Sequence, residues 1–153
     1  LAQRLDTLNE RREALTLARL TLAQANAALA ERFSPRLVRE ASEIFSELTG
    51  GRYARVQISR QMELEAGQPD AAMRRSLFLS GGTADELYLS VRLAVCRLLL
   101  PEDAPLLLDD ALVMFDDDRL RLALRLLQRE AANRQILLFT CQHREQKALT
   151  TDL

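Results

Sequence analysis

Two short apolar runs in the second half of the chain, Leu106-Leu107-Leu108 and residues 136–140, do not alternate with polar residues. A helical pattern precedes each: residues 84–100, closed by Pro101, before the first run, and residues 118–132 before the second. Strands without alternation, separated by helices, imply a parallel sheet covered on both faces. The expected class is α/β, a mostly parallel sheet flanked by helices. A length of 153 residues suits one domain, or one domain with an appendage. With 48% hydrophobic and 28% charged residues, the chain can fill a core and keep a soluble surface.

The first 33 residues contain neither Gly nor Pro, and Leu1, Leu8, Leu15, Leu22 and Leu29 recur every seven positions. That spacing holds one leucine edge along a helix. The companion positions Leu5, Arg12, Arg19, Asn26 and Phe33 are mixed. At about 1.5 Å per residue the helix would run roughly 45–50 Å, and it cannot bury its stripe alone. Two readings stay open: a helix packed on its own domain, or the returning strand of a longer antiparallel coiled coil. Ser34-Pro35 predicts a second helix start, with serine as N-cap and proline at the first helical position. Leu37, Val38, Ala41, Ile44, Phe45 and Leu48 then form one apolar face, and Thr49-Gly50-Gly51 ends the helix. Residues 53–58 and 62–66 alternate like strands, Gly67-Gln68-Pro69-Asp70 reads as a turn, and residues 76–79 as a third strand. A short helix over 143–150 closes the chain.

Charge and cysteine content narrow the function classes. Lys+Arg is 21 and Asp+Glu is 22, so the chain is not a globally basic nucleic-acid binder. Only Lys147 is lysine, and no G-x-x-x-x-G-K-[ST] phosphate loop occurs. Cys96 and Cys141 lie in apolar runs, which favours a reducing, cytoplasmic setting over a disulfide framework. No apolar stretch reaches the roughly 18–20 residues of a membrane span, and no signal peptide opens the chain. A start at Leu1 rather than Met leads us to expect a piece of a longer protein or a processed one.

Three places carry chemistry. Leu79-Ser80-Gly81-Gly82-Thr83 lies between a strand and a helix, and Thr83 and Glu86 have capping-box spacing, which puts the expected helix start at Thr83. Paired glycines before a helix N-terminus, with its unpaired N–H groups, make an anion site suited to phosphate; a plain tight turn accounts for the same residues. Asp109-Asp110 end the first apolar run, where ligands of parallel sheets sit. Such carboxylates suit Mg²⁺ and the positioning of water, or are ordinary loop acids. Asp116, Asp117 and Asp118 form a second acidic group, mostly solvated or capping the next helix. His143, the single histidine, follows the second apolar run and is either structural or catalytic.

The order of these features resembles the C-terminal lobe of ABC-type ATPase heads, above all the coiled-coil branch of SMC, RecN and related ATP-binding proteins. The likeness covers essentially the whole chain. Residues 1–33 resemble the returning coiled-coil strand, and residues 34–153 the ATPase lobe, entered through Leu48-Thr49-Gly50-Gly51-Arg52-Tyr53. Leu79-Ser80-Gly81-Gly82-Thr83 is similar to the signature motif, with Thr83 where many relatives carry Gln.

The resemblance implies roles. Ser80, Gly81 and Gly82 would touch the γ-phosphate of ATP held by an opposing head. Asp109 would be the Walker B aspartate that organises Mg²⁺, and Asp110 stands where the catalytic Glu is found. Asp116 would be the D-loop aspartate and His143 the switch histidine, although His143 follows Thr140-Cys141-Gln142 rather than the threonine itself. The implied partners are an N-terminal P-loop lobe of the same protein and a second head that pairs on ATP, with no membrane involved. DNA is a further implied partner, through Arg52, Arg55, Arg60, Arg74 and Arg75, although solubilising charge is the reading the sequence favours for these arginines. The implied function is ATP hydrolysis in DNA repair or chromosome maintenance. Two alternatives stand beside it: a coiled-coil adaptor with weak catalysis, because Asp110 is one methylene shorter than Glu, and a stand-alone metal hydrolase using Asp109, Asp110 and His143.

Overall fold

The computed structural model describes residues 2–59, 63–101 and 103–151. The chain divides into two units, Leu1–Arg36 and Leu37–Leu153. Helix α1 spans Ala2–Leu48. In the first unit Leu8, Leu15 and Leu22 of the heptad row are all more than half exposed. Leu1, and the side chains of Leu5, Asn26, Leu29 and Phe33, lie outside the described residues.

The restart expected at Ser34-Pro35 does not occur, and Pro35 sits inside α1. A proline removes its own N–H bond to the carbonyl four residues back, and its ring crowds that carbonyl. The helix-forming Ala, Leu, Arg and Glu residues on either side carry the helix across that gap. Within the second unit, Leu37, Ala41, Ile44, Phe45 and Leu48 are buried, as their spacing predicts. The helix ends as expected: the Gly51 N–H donates to the Ser46 carbonyl at 2.7 Å. Gly50 and Gly51 have φ of 60° and 82°, a left-handed region that glycine enters without Cβ strain.

Strands β1 (Arg55–Ile58), β2 (Leu64–Gly67) and β3 (Arg74–Arg75) form an antiparallel sheet in that order. The Ser42 hydroxyl accepts the Val56 N–H at 3.0 Å and ties β1 to α1. Met62, where the second strand is expected to begin, lies outside the described residues, as does Arg60. The third strand expected over 76–79 is instead a 3₁₀ turn at Ser76–Phe78, and the strand itself is the preceding Arg74–Arg75. Leu77 and Phe78 are 77% and 72% exposed, so no sheet face holds them extended.

The second sheet pairs β4 (Leu106–Asp109) with β5 (Ile136–Phe139) in parallel, Leu107 opposite Leu137 and Asp109 opposite Phe139. Helices α2 (Gly81–Leu99) and α3 (Asp117–Glu130) supply most of the remaining core, including Leu87, Leu93, Leu126 and Leu127. Helix α4 (His143–Thr151) follows β5. Arg97 on α2 is anchored to Glu130 on α3 (Nε to Oε1 3.1 Å) and to Glu40 on α1 (3.3 Å).

The α/β class and the parallel connection are as expected. The expectation of a sheet covered on both faces is not met. Although both runs are apolar throughout, their burial alternates, and Leu107, Leu137 and Phe139 are 61%, 38% and 52% exposed. Side chains of successive strand residues point to opposite faces. Among the described residues, elements of the chain cover one face and leave the other to solvent.

Candidate nucleotide site

The glycine turn is built by α2. Its N-cap is Ser80, in extended backbone (φ −64°, ψ 153°), and the Ala84 N–H donates to the Ser80 carbonyl at 2.8 Å. The expected start at Thr83 is therefore three residues late. Glycine disfavours a helix interior, but the first helical turn needs no partner for its N–H groups. The Ser80 hydroxyl donates to Thr83 Oγ1 at 2.9 Å and does not cap the helix N–H groups. Glu86 is not bonded back to Thr83; it faces Arg119 of α3.

That arginine is the residue our reading of the sequence missed. Its Nη2 donates to Thr83 Oγ1 at 3.1 Å, and its Nε lies 3.5 Å from Glu86 Oε1 and 3.4 Å from Asp116 Oδ2. Gly82 is buried against it. A Cβ there would run into Arg119 Nη1 and lie 3.1 Å from the Met114 carbonyl oxygen. Gly81 is exposed, with only Met114 Cε 3.6 Å from such a Cβ. A cavity of about 160 Å³ adjoins the cluster, lined among others by Thr49, Arg52, Tyr53, Thr83, Glu86 and Arg119. Glu86 is 1% exposed, and burial pushes its carboxyl up to about 7. Arg119 and Arg52 oppose the shift and Asp116 adds to it. A signal for the pair was available: Thr83, Glu86, Leu87, Ser90 and Leu93 share one buried face at helical spacing, and a carboxylate on such a face needs a cation.

The carboxyl end of the parallel sheet gathers the remaining candidates. Asp109 closes β4 and is exposed. Asp110 follows in the left-handed region (φ 47°), which Asp tolerates better than most residues. Its N–H donates to the Phe139 carbonyl at 2.9 Å, and its Oδ1 accepts the Cys141 N–H at 3.3 Å. Those two bonds hold the ends of β4 and β5 together. His143 begins α4, exposed, and among the described residues no hydrogen bond or ion pair joins it to Asp109 or Asp110. Arg144, beside it, donates from Nη2 to the Val113 carbonyl at 3.1 Å and anchors α4 to the loop after β4. Asp116 caps α3 by accepting the Arg119 N–H at 2.9 Å.

No group of three or more His, Cys, Asp and Glu side chains that could hold a metal occurs among the described residues. Asp109, Asp110 and His143 thus form no such group among the described residues. Adjacent hard carboxylates do fit Mg²⁺, which takes one or two of them and completes its shell with water and phosphate oxygens. The proposed basic surface is partly spent internally: Arg55 donates to the Gln68 and Ala71 carbonyls, and Arg75 pairs with Glu63. No helix among the described residues is long and apolar enough to cross a membrane.

No family model matches the chain. It is 36% identical over 110 residues to the uncharacterized protein YhaN of Bacillus subtilis (strain 168), a match covering 70% of this chain and 11% of that protein. The chain thus spans about a tenth of the length of that curated relative. Among solved structures, one described under ATP-driven dimerization and DNA-stimulated activation of SMC ATPases is similar with a TM-score of 0.66 at 20% identity, covering 80% of this chain and 76% of that one. An SMC head bound to the C-terminal winged-helix domain of ScpA gives 0.66 at 19%, over 82% and 40%. The SMC head of Pyrococcus furiosus with an extended coiled coil, bound to the C-terminal domain of ScpA, gives 0.61 at 18%, over 95% and 40%. The chain accordingly has the fold of the C-terminal portion of an SMC ATPase head.

Proposed function

We propose that this chain is the C-terminal lobe of an SMC-like ATPase, which binds and hydrolyses ATP between two heads when joined to a P-loop lobe of the same protein. The observation that carries the reading is the meeting at one end of the parallel sheet: Asp110 bridges β4 and β5 through Phe139 and Cys141, and the loop that follows packs its Met114 carbonyl toward Gly82. In this reading Ser80 and the N–H groups of Gly81 and Gly82 meet the terminal phosphate of a nucleotide held by the opposing head. Asp109 would hold Mg²⁺, which when bound neutralises developing charge on the phosphates. Asp110 orients the attacking water through its free oxygen, and His143 supplies a donor at the same edge. Asp116 holds the start of α3. Residues 1–33 are the returning coiled-coil strand, and residues 34–153 the lobe itself. Two cysteines without a disulfide suit a cytoplasmic setting. A DNA partner, in repair or chromosome maintenance, rests on the likeness alone, since Arg55 and Arg75 already have protein partners.

A second reading has one specific observation in its favour. One oxygen of Asp110 is engaged by the Cys141 N–H, and the side chain is short, which suits an adaptor that binds nucleotide and turns it over slowly. The complete protein tests both. Nucleotide-driven dimerisation by light scattering, with hydrolysis falling about 100-fold in Asp110→Asn while the dimer persists, is the expected result for an ATPase. Dimerisation with equally slow turnover in wild type and Asp110→Asn selects the adaptor. Ordinary ATP turnover by this chain alone sinks both.

A further inference from the structure

Arg119 reaches well beyond its own helix. It lies on α3, 36 residues after Thr83, yet it touches the glycine turn, the buried carboxylate beneath the turn and the N-cap of its own helix. Its side chain is 20% exposed, while Thr83 and Glu86 are 3% and 1% exposed. A guanidinium is planar, always charged and able to donate in several directions at once. Here it donates to Thr83 from Nη2 and faces both carboxylates with Nε, and its Nη1 lies where a side chain of residue 82 would begin. Thr83 also accepts from Ser80, so the Ser80 hydroxyl, Thr83 and Arg119 form one continuous chain of hydrogen bonds. The Met114 carbonyl, from the loop that follows Asp110, approaches the same position beside Gly82.

We propose that Arg119, held by Glu86 and Asp116, is the positioning residue of the Ser80–Gly82 turn: as a clamp it bonds Thr83 and fills the space beside Gly82 next to the loop after β4, so that the phosphate-facing turn and the water-orienting acid keep one relative geometry. The proposal deepens the ATPase reading and rests on it. It also accounts for the second glycine, since any side chain at position 82 would displace the clamp. Arg119 touches no phosphate in this scheme and acts through the turn. The P-loop lobe holds most of the nucleotide, so loss of the clamp lowers turnover without weakening ATP binding.

The test uses the complete protein with three variants. Arg119→Met leaves Glu86 buried without its cation and risks misfolding. Glu86→Gln/Arg119→Met removes both charges and keeps the packing, so it serves as the folded version of the same loss. Arg119→Lys keeps the charge but lacks the fork. The expected result is a kcat lower by about ten-fold or more in the double variant, with KM for ATP within about two-fold of wild type and an unchanged melting temperature. Arg119→Lys does not restore kcat. In the same samples, backbone order parameters of Gly81 and Gly82 fall while those of Leu93 and Ala94 do not. A folded double variant with wild-type kcat, or undiminished order at the two glycines, overturns the positioning role. A wild type that shows no nucleotide-driven dimer overturns the phosphate reading beneath it, and the glycine order parameters report on the clamp separately.

Discussion

Glu86 is a carboxylate that the fold has buried, and its proton equilibrium is therefore coupled to stability. Its ordinary value is 4.5 and its folded value about 7, chiefly because burial disfavours the charged form. Between those two values the folded chain binds more protons than the unfolded one, so stability declines as pH rises from 4.5 to 7 and levels off above. The contribution, full below pH 4.5, amounts to about 3 kcal/mol once lost. Urea unfolding across pH 4.5–8 is expected to show this decline in the wild type and a flatter profile in Glu86→Gln; parallel profiles would contradict the assignment. The two glycines of the turn part company in the same assay. Gly82→Ala pushes on Arg119 and on the Met114 carbonyl and is expected to lower stability by about 1–3 kcal/mol. Gly81→Ala meets only a flexible methionine tip at 3.6 Å and stays within about 0.5 kcal/mol of wild type. The doublet was legible in the chain, but which glycine is structural was not, because the neighbour that decides it is 37 positions away.

Helices were the most legible elements. Helix α3 buries Leu120, Ala123, Leu124, Leu126 and Leu127 on one side, and its acidic start announces itself as a cap. Asp116 supplies that cap through the Arg119 N–H. Thermal unfolding should register Asp116→Ala as a loss of about 1 kcal/mol, while Asp116→Asn, which can still accept the bond, loses much less. Equal losses would show that the ion pair with Arg119 matters more than the cap. Local rules gave way at Ser34-Pro35, where the proline is inside α1, and at residues 76–79, where a 3₁₀ turn replaces a strand. In both places a short-range signal was outweighed by its surroundings: helix-forming neighbours in the first, the lack of a strand partner in the second.

At the scale of the whole molecule, the exposed face of the parallel sheet has the clearest consequence. Leu107, Leu137 and Phe139 are exposed side by side on paired strands. A sheet face of this kind seeks cover. Sedimentation velocity of the chain alone is expected to show concentration-dependent association, and Leu107→Lys/Phe139→Lys, which leaves the buried face untouched, to shift it to monomer. Association unaffected by the double variant would locate the contact elsewhere.

The helix periods, the α/β alternation, the glycine stop after Leu48 and the order of the turn, the acids and the histidine are all readable along the chain. All of these are short-range patterns that survive without knowledge of the partners. Which face of the two apolar runs is buried, why a side chain at position 82 would collide, and that Glu86 and Arg119 meet become visible in three dimensions alone. Those outcomes depend on what a distant segment places within a few ångströms, and neither the spacing of residues along a chain nor their composition encodes that separation in space.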